Sequence, residues 1–370
     1  MKADVFARLE ELRDNVAPVV WSPYNGGHWM VFREEDMRTI LTEPDRFTTS
    51  YLSDGSKANG GPPLIPLGIE PPEHGPYRNV LLKYLGPFKI KQLEASIRKR
   101  AKELIGAVAG KERCEFVSEI AEPMPITIFM ELMGLPAERF TEFRALALRI
   151  LDPEGLYSPE GQQARTDANM QVMAMLGEVI AERHREPKDD LVSALIRETV
   201  NGEPIGPQEL MSMCYILFLG GLDTVTNAMS FGIRYLAQDP ALKQELRDHP
   251  QRIKDAMEWL LRRSAFVNVQ RMVKQDTQID GVPMKAGDMV WNIVWSGSNK
   301  PGEDERGPRH FAFGIGHHMC VGMHLARLEL RVMLETWFDL IGDFTLAQDE
   351  PPVMAGGPIM HMKRLVLDLK

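Results

Sequence analysis

One cysteine, three glycines and two adjacent histidines are crowded into the run FAFGIGHHMCVGMHLARLEL at residues 311–330. Cys320 stands just before an amphipathic stretch that predicts a helix over 323–340. The backbone N–H groups of a tight glycine loop and the positive end of a helix both favour a thiolate. No second cysteine or carboxylate stands nearby to complete a zinc tetrahedron. The pattern therefore favours a metal whose other ligands come from a macrocycle.

A second unusual stretch lies inside a long apolar pattern that predicts a helix over 207–237. Gly220, Gly221, Asp223 and Thr224 interrupt its apolar centre. Two glycines in a helix interior cost about 2 kcal/mol relative to alanine, and a buried carboxylate needs a partner. Glycines let another molecule approach the backbone, and an acid beside an alcohol can bind and transfer protons. The alternative is a close helix crossing in which Asp223 pairs with a buried arginine.

Composition excludes several classes of protein. The 370 residues are 44% hydrophobic and 26% charged, which is typical of a folded chain with a substantial core. The net charge of −9 argues against a general nucleic-acid binder. The three cysteines form no disulfide framework, and Cys114 and Cys214 are interpreted as inert buried residues. The longest apolar run, CYILFLGGL, is too short to span a bilayer, so we expect a cytoplasmic protein without membrane anchorage.

The hydrophobic pattern predicts a mainly α protein with a small β part, organised as a single domain over 1–370. Helices are expected at 34–42, 91–109, 116–132, 163–184, 207–237, 240–263 and 323–340. Strands are expected near 19–21, 28–32, 271–273, 289–291 and 365–369. The connection 51–69 is rich in Gly, Pro and Ser and is either a lid or a plain surface loop; its second half has no charge, which favours inward packing.

These motifs together resemble the cytochrome P-450 superfamily. Phe313, Gly316, His318, Cys320 and Gly322 fit the haem-binding signature F-x-x-G-x-H-x-C-x-G without a mismatch. The run GGLDT at 220–224 is similar to the oxygen-activating helix of the family, and the two motifs occur in the family's order. The resemblance covers most of the chain and is greatest to soluble bacterial members such as the camphor hydroxylase group. It implies a fold in which haem lies between a long distal helix and a proximal cysteine loop that leads into a helix.

The resemblance implies haem b as the cofactor, with Cys320 as its thiolate ligand. Phe313 is then expected to pack on the proximal side, within the loop formed by Gly314 and Gly322. The haem propionates are expected to be held by four positively charged or imidazole side chains: His74, Arg78, Arg271 and His318. Neighbouring His317 and His324 are interpreted as surface side chains.

On the distal side, the resemblance implies that Gly220 and Gly221 leave a groove for O2, and that Asp223 and Thr224 deliver protons. Such an enzyme is a monooxygenase that takes two electrons from a [2Fe–2S] ferredoxin and its NAD(P)H-dependent reductase. Residues 89–102 hold six basic residues against Glu94 and are a candidate docking patch for an acidic ferredoxin. A merely solvated helix face is the alternative.

The candidate substrate-lining residues are almost all apolar: Leu64, Ile216, Leu219, Val267 and Asn268. They favour a small, uncharged hydrophobic substrate such as a terpenoid-like compound. Two other functions stay open. One is a peroxide-driven relative, although such enzymes often lack the acid–alcohol pair. The other is a haem-binding protein without catalysis. A monomer is expected.

Two features depart from the family pattern. The family has Glu-x-x-Arg before the β hairpin, whereas here Trp259 stands three positions before Arg262 and the nearest acid, Glu258, stands four before. Positions four apart share a helix face, so a Glu258–Arg262 pair can still form. The segment between Arg271 and Cys320 is also shorter than in the family, which indicates a missing or deleted segment near 303–309.

Overall fold

The helices form most of the protein. The computed structural model describes residues 4–53, 62–151, 158–300 and 310–370. The α-helices of this part of the chain are α1 Val5–Asn15, α2 Glu34–Thr42, α3 His74–Leu85, α4 Pro87–Lys91, α5 Glu94–Val108, α6 Pro123–Met133, α7 Phe140–Leu151, α8 Pro159–Arg185, α9 Leu191–Ile196, α10 Pro207–Gln238, α11 Pro240–Asp248, α12 Ile253–Arg263, α13 Val294–Ser298 and α14 Met323–Leu340.

The strands form small sheets at the edge of the helical body. They are β1 Val19–Ser22, β2 His28–Val31, β3 Phe47–Thr48, β4 Arg113–Glu115, β5 Thr199–Val200, β6 Glu203–Pro204, β7 Val269–Val273, β8 Thr277–Ile279, β9 Val282–Met284, β10 Met289–Asn292, β11 Phe344–Leu346, β12 Val353–Ala355, β13 His361–Arg364 and β14 Val366–Leu369. The largest sheet has the order β1-β2-β10-β7-β3, and β10 runs parallel to β2 and antiparallel to β7. This sheet places β7, with Arg271, in its interior.

The predicted mainly α architecture and all five predicted strands are confirmed, and the differences have local causes. The predicted helix 240–263 is two helices, because Pro250 has no backbone N–H and the preceding His249 leaves the helical region, with φ of −134° and ψ of 68°. The predicted helix 91–109 is divided between α4 and α5. The predicted helix 116–132 starts as a π-helical turn, Val117–Ala121, before α6. Helices α7 and α9 and the short helix α13 were not predicted from the sequence.

Helix α10 passes through the middle of the protein. Its first half, with Tyr215 and Phe218, packs in one hydrophobic cluster, whereas its second half, with Met229 and Phe231, packs in another. The division between the two clusters falls at residues 220–224, where the glycines and the acid–alcohol pair stand. Among the described residues, α10 is the one helix long and apolar enough to resemble a membrane span, but 59% of its most apolar stretch is buried inside the protein. A core helix explains this composition.

The uncharged half of the 51–69 connection packs inward where the structure describes it. Leu64 is 6% exposed, and its N–H donates to the carbonyl of Leu52 at 3.2 Å. This position confirms the inward packing expected from the lack of charge. The connection's first half falls partly on residues 54–61, and the shortened segment near 303–309 lies in the gap before His310. Both stretches lie outside the described residues.

Candidate active site

The cysteine loop is shaped by backbone hydrogen bonds and two left-handed glycines. The Cys320 N–H donates to the Phe313 carbonyl at 2.8 Å, which closes the loop on itself. Gly314 and Gly316 have φ of +70° and +75°, where a residue with a Cβ is strained. At Gly316 a Cβ would also lie 2.8 Å from the carbonyl oxygen of Leu41. The glycines of the motif are therefore required by the loop itself, before any ligand is considered.

Desolvation and nearby positive groups shift the pKa of the Cys320 thiol in opposite directions. Burial raises its pKa, while the Gly322 N–H, Arg78 and Arg327 act in the opposite direction, and the net result is a raised pKa. The expectation that the loop and helix alone stabilise a thiolate is therefore only partly right, because desolvation by the surrounding protein outweighs them, although the Cys320 side chain is solvent-exposed. A bound metal cation deprotonates a coordinating thiol outright, so this side chain fits a metal ligand.

Two arginines lie beside the cysteine loop, Arg78 near Cys320 and Arg271 near His318, and form no close ion pair with the described residues. Arg271 is 4% exposed, and its guanidinium donates to the backbone carbonyl of Gln270 at 2.8 Å. Burial lowers the pKa of both Arg271 and Arg78. Neither forms an ion pair within 4 Å with any residue that the structure describes. Buried, unpaired cations are costly, so the two guanidiniums fit a ligand that brings two carboxylates.

A histidine cluster surrounds one carboxylate on the same side. His318 Nε2 lies 3.0 Å from Thr49 Oγ1 and 3.3 Å from Glu70 Oε2, and His317 Nε2 lies 2.7 Å from the same Glu70 oxygen. The His74 ring meets the His318 ring edge-on at 4.6 Å. Burial, together with the neighbouring positive groups, lowers the pKa of His74 to about 4, so His74 is neutral at pH 7.

Glu70 and His317 were missed by the sequence analysis. His317 was interpreted as a surface side chain, and this is wrong, because it is half-buried and bound to Glu70. Hydrogen bonds from His317, His318 and Thr49 outweigh burial and hold the pKa of Glu70 well below its usual range. The available signal was spacing, since Glu70 stands four positions before His74. One ligand atom from each of Glu70, His317 and His318 falls within a 4.8 Å cluster, but their mutual hydrogen bonds already explain this arrangement.

The two glycines of α10 have different surroundings. A Cβ on Gly220 would meet no atom within 4 Å, so the backbone there faces open space, as expected for a groove. A Cβ on Gly221 would lie 2.7 Å from Cδ2 of Phe129. Gly221 is therefore needed for close packing of α10 on α6, and the role expected for it in the groove is corrected. The Thr224 hydroxyl donates to the Gly220 carbonyl at 2.9 Å.

Asp223 is held by an amide and an imidazole. Its Oδ2 accepts from Asn227 Nδ2 at 2.9 Å and lies 3.2 Å from His361 Nδ1. The Met362 N–H donates to Asn227 Oδ1 at 2.9 Å, which ties β13 to α10. The alternative of a helix crossing with a buried arginine partner is therefore wrong, since within the described residues no arginine lies within 4 Å of this carboxylate. Asn227 and His361 were both missed, although Asn227 is one helical turn after Asp223.

The expected substrate-lining residues lie in different clusters. Leu64, Ile216 and Leu219 belong to the cluster around the first half of α10, which is the arrangement that an apolar pocket requires. Val267 forms a bridge with Ile359. Asn268 is not the accessible polar group that was expected, because its Nδ2 donates to the Gly357 carbonyl at 2.9 Å and its Oδ1 is fully buried.

The Glu258–Arg262 pair that the helical spacing permits does not form. Glu258 is bound instead by Arg327 of α14, with Nε at 2.6 Å and Nη2 at 3.0 Å, and by His310 Nε2 at 2.9 Å. Arg262 Nε donates to the Ser298 carbonyl at 2.5 Å. Although burial opposes it, the hydrogen bonds from His310 and Arg327 lower the pKa of Glu258 to about 2.

The basic segment 89–102 is only partly neutralised. Arg98, Lys99 and Arg100 form ion pairs with acidic neighbours on α5 and α14. Lys89 and Lys91 are exposed and form no ion pair with the described residues. They stand on α4 beside Phe88, which is 76% exposed. Helix α4 packs against α14, the helix that begins just after Cys320, so this surface lies behind the cysteine loop.

Comparison with known proteins agrees with this geometry. The model of the family described as Cytochrome P450 matches residues 127–256 and 258–353. Erythromycin C-12 hydroxylase of Saccharopolyspora erythraea is 32% identical over 359 residues, which cover 92% of this chain and 87% of that protein. Linalool 8-monooxygenase of Pseudomonas putida is 29% identical over 363 residues, which cover 90% of this chain and 87% of that protein. The crystal structure of CYP101J2 has a TM-score of 0.88 and 32% identity, covering 100% of this chain and 94% of that one.

Proposed function

The chain belongs to the cytochrome P450 family of haem b monooxygenases, and we propose that it hydroxylates a small, uncharged hydrophobic substrate with O2 and two electrons from a ferredoxin. The observation that carries the proposal is the pairing of two features. A thiol just before a helix stands on the side of two arginines that form no ion pair with the described residues, and an acid–alcohol pair interrupts the central helix on the other side. The first suits a haem with its propionates, and the second suits proton delivery to oxygen.

The residues present fit haem b. Cys320 offers the thiolate ligand, and the buried Arg271 and the half-buried Arg78 are the cations that two propionates would neutralise. His318 and His74 line the same region. When bound, a haem with a thiolate ligand supplies the activation of O2 and the transfer of one oxygen atom into a C–H bond. The protein contributes the binding of both ligands, their orientation and the supply of protons.

Thr224 and Asp223 are the groups proposed to supply the protons. The Thr224 hydroxyl donates to Gly220, whose backbone borders open space, so the hydroxyl oxygen remains available as an acceptor toward that space. The Asp223 carboxylate has a fixed orientation because Asn227 and His361 hold one of its oxygens. A carboxylate held in this way can receive protons from the β13 side and pass them toward Thr224.

The test of this function is the efficiency with which electrons give product. In Thr224→Ala, NAD(P)H consumption is expected to continue, while the product formed per electron pair falls several-fold. The reason is that the variant lacks the hydroxyl that delivers protons to the active site. The matched control is Thr226→Ala, two positions further along the same helix. It removes a hydroxyl that donates a hydrogen bond to the Ala121 carbonyl, and it should keep coupling normal. Unchanged coupling in Thr224→Ala would contradict the relay. Full activity with peroxide alone would favour the peroxide-driven alternative.

The substrate class rests on the apolar surroundings of Leu64, Ile216 and Leu219, and on the absence of an accessible polar group at Asn268. One relative is named a linalool 8-monooxygenase, which supports a terpenoid-like substrate for this chain as well. Another is named an erythromycin C-12 hydroxylase, so the size of the substrate that this chain accepts must be tested. A spectral titration of the haem band with acyclic and cyclic monoterpenoids and with a macrolide separates these classes. Tighter binding of the macrolide would contradict the proposal.

The electron donor is proposed to be a small acidic [2Fe–2S] ferredoxin with its NAD(P)H-dependent reductase. Lys89 and Lys91 of α4, which form no ion pair with the described residues, offer charge complementarity, and the adjacent Phe88 offers an exposed apolar contact. Because α4 packs on α14, a donor docked there approaches the protein from the Cys320 side. We further propose that the chain acts as a single-domain monomer in the cytoplasm.

A further inference from the structure

A compact ionic cluster joins three segments that are distant in sequence. Glu258 of α12 accepts two hydrogen bonds from Arg327 of α14, one on each carboxylate oxygen, at 2.6 and 3.0 Å. His310, which begins the segment leading to the cysteine loop, lies 2.9 Å from the second oxygen through Nε2. The exposed fractions of these side chains are 23% for Glu258, 31% for Arg327 and 4% for His310. Two-point binding of this kind fixes the plane of the guanidinium.

The cluster is built against the base of the cysteine loop. The guanidinium carbon of Arg327 lies over the Phe313 ring, 4.5 Å from its centroid. The His310 ring centroid lies 6.0 Å from the same ring, and His310 Nδ1 accepts the N–H of Ala312 at 3.2 Å. The Phe313 carbonyl in turn accepts a hydrogen bond from the Cys320 N–H. An unbroken series of contacts therefore leads from the Glu258 carboxylate to the backbone of the cysteine.

The neighbouring positions explain why this chain needs such a cluster. Trp259 occupies the place where the acidic residue of Glu-x-x-Arg is expected, and its indole Nε1 is buried without a partner among the described residues. Arg262 directs its guanidinium to the carbonyl of Ser298. The acidic group is thus displaced by one residue along α12, which rotates it by about 100° around the helix, toward α14 and the loop.

We propose that Glu258 is a positioning residue that holds Arg327 and His310 against Phe313, and thereby keeps the Cys320 loop in the conformation that binds iron. The inference rests on the proposed function, because it assumes that Cys320 is the iron ligand. In this chain, a Glu258–Arg327–His310 cluster supports the cysteine loop in place of a Glu-x-x-Arg pair, which the sequence lacks.

The experiment compares two matched substitutions on the haem-loaded protein. Glu258→Gln keeps the size of the side chain and removes its charge. Glu335→Gln does the same to a carboxylate of α14 that is 30% exposed and bound by Arg98 and Arg331, away from the cysteine loop. Thermal unfolding of each variant gives the purely structural cost, which is expected to be larger for Glu258→Gln, so thermal stability alone does not identify a positioning role. The haem readouts then separate a positioning role from a structural one.

Glu258→Gln is expected to speed haem transfer to apomyoglobin about tenfold or more, the size of effect that losing a charge-assisted bidentate contact produces. A fraction of its reduced carbon monoxide complex should also lose the far-red-shifted Soret band of thiolate ligation. Glu258→Asp should recover part of both properties. Glu335→Gln should retain the wild-type haem transfer rate and spectrum.

Wild-type haem transfer and an unchanged Soret band in Glu258→Gln would overturn the inference, whatever its thermal stability. If Glu258→Gln does not fold, Arg327→Lys is used, because it keeps the positive charge but cannot bind both carboxylate oxygens. It should show the same two haem defects in a weaker form, and their absence would equally overturn the inference. Failure of the proposed function is distinguishable, because then the wild-type protein itself would lack the thiolate band.

Discussion

The Asp223 carboxylate lies 3.2 Å from Nδ1 of His361, although the two residues are 138 positions apart. His361 stands at the start of β13 and is 9% exposed, and the next residue, Met362, is bound to Asn227 of α10. The strand therefore delivers an imidazole to the carboxylate at the interruption of the central helix. This contact gives the proposed proton route an entrance from the β13 side of the protein.

The first prediction concerns the carboxylate at this contact. Asp223→Asn keeps the shape of the side chain but cannot exchange a proton, so turnover with the ferredoxin system is expected to fall about a hundredfold. The thiolate Soret band of the reduced carbon monoxide complex should stay normal, because Asp223 lies on α10 and not in the cysteine loop. Single-turnover measurements of product formation check this expectation.

A matched change at His361 separates proton transfer from packing. His361→Gln retains a hydrogen-bonding side chain next to Asp223 and should slow turnover less than Asp223→Asn, with an enlarged solvent deuterium effect on the rate. Wild-type turnover in both variants would show that protons reach the site by another route.

The second prediction concerns the lysines of α4. Replacing Lys89 and Lys91 with Glu should raise the KM for the reduced ferredoxin about tenfold at low salt, and the difference should shrink as salt screens the charges. Lys274→Glu makes a charge change of the same kind in the loop after β7 and serves as the control. Steady-state kinetics with ferredoxin as the varied substrate measure the effect. Equal KM values for wild type and the α4 variant would place the docking surface elsewhere.

The third prediction concerns acid stability. The pKa of Glu258 is about 2 in the folded protein against 4.5 for an ordinary glutamate. A lowered folded-state pKa contributes stability above the unfolded value, which is lost as the pH falls through the folded value. Ionisation of Glu258 is therefore expected to stabilise the fold by about 3 kcal/mol at neutral pH, and this contribution should disappear between about pH 5 and pH 2.

Urea denaturation of wild type and Glu258→Gln at several pH values tests this directly. The difference in free energy of unfolding should be largest at pH 7 and should approach zero at the lowest pH at which wild type still folds. If the difference in free energy of unfolding between the two proteins is constant with pH, ionisation of Glu258 does not stabilise the fold.

The sequence was most informative where the required information is local. The cysteine loop depends on glycines within a few positions of Cys320, and the two left-handed φ values at Gly314 and Gly316 explain why those positions are glycine. The long helix was recognisable from its apolar period and from Pro207 at its first turn. Arg271 and Arg78 were predicted from the motif resemblance, and within the described part of the chain neither forms an ion pair closer than 4 Å.

The sequence was least informative about which distant groups pair. Glu258 meets Arg327 across 69 positions, and Glu70 meets His317 across 247. Helical spacing favours Glu258–Arg262, but it only shows which residues share a face of one helix, not what packs on that face. The packing of α12 on α14 decides the partner. Asn268 was misinterpreted for the same reason, because the loop at Gly357 that binds its amide is distant in sequence.

Iron ligation by Cys320 can be read from the absorption spectrum of the reduced, carbon monoxide-bound protein after reconstitution with haem. Thiolate ligation by Cys320 predicts the far-red-shifted Soret band, and Cys320→Ser should lose it, whereas Cys114→Ser and Cys214→Ser should keep it because both cysteines are buried away from the loop. A globin-like band in the wild-type protein, or an unchanged band in Cys320→Ser, would contradict the central claim.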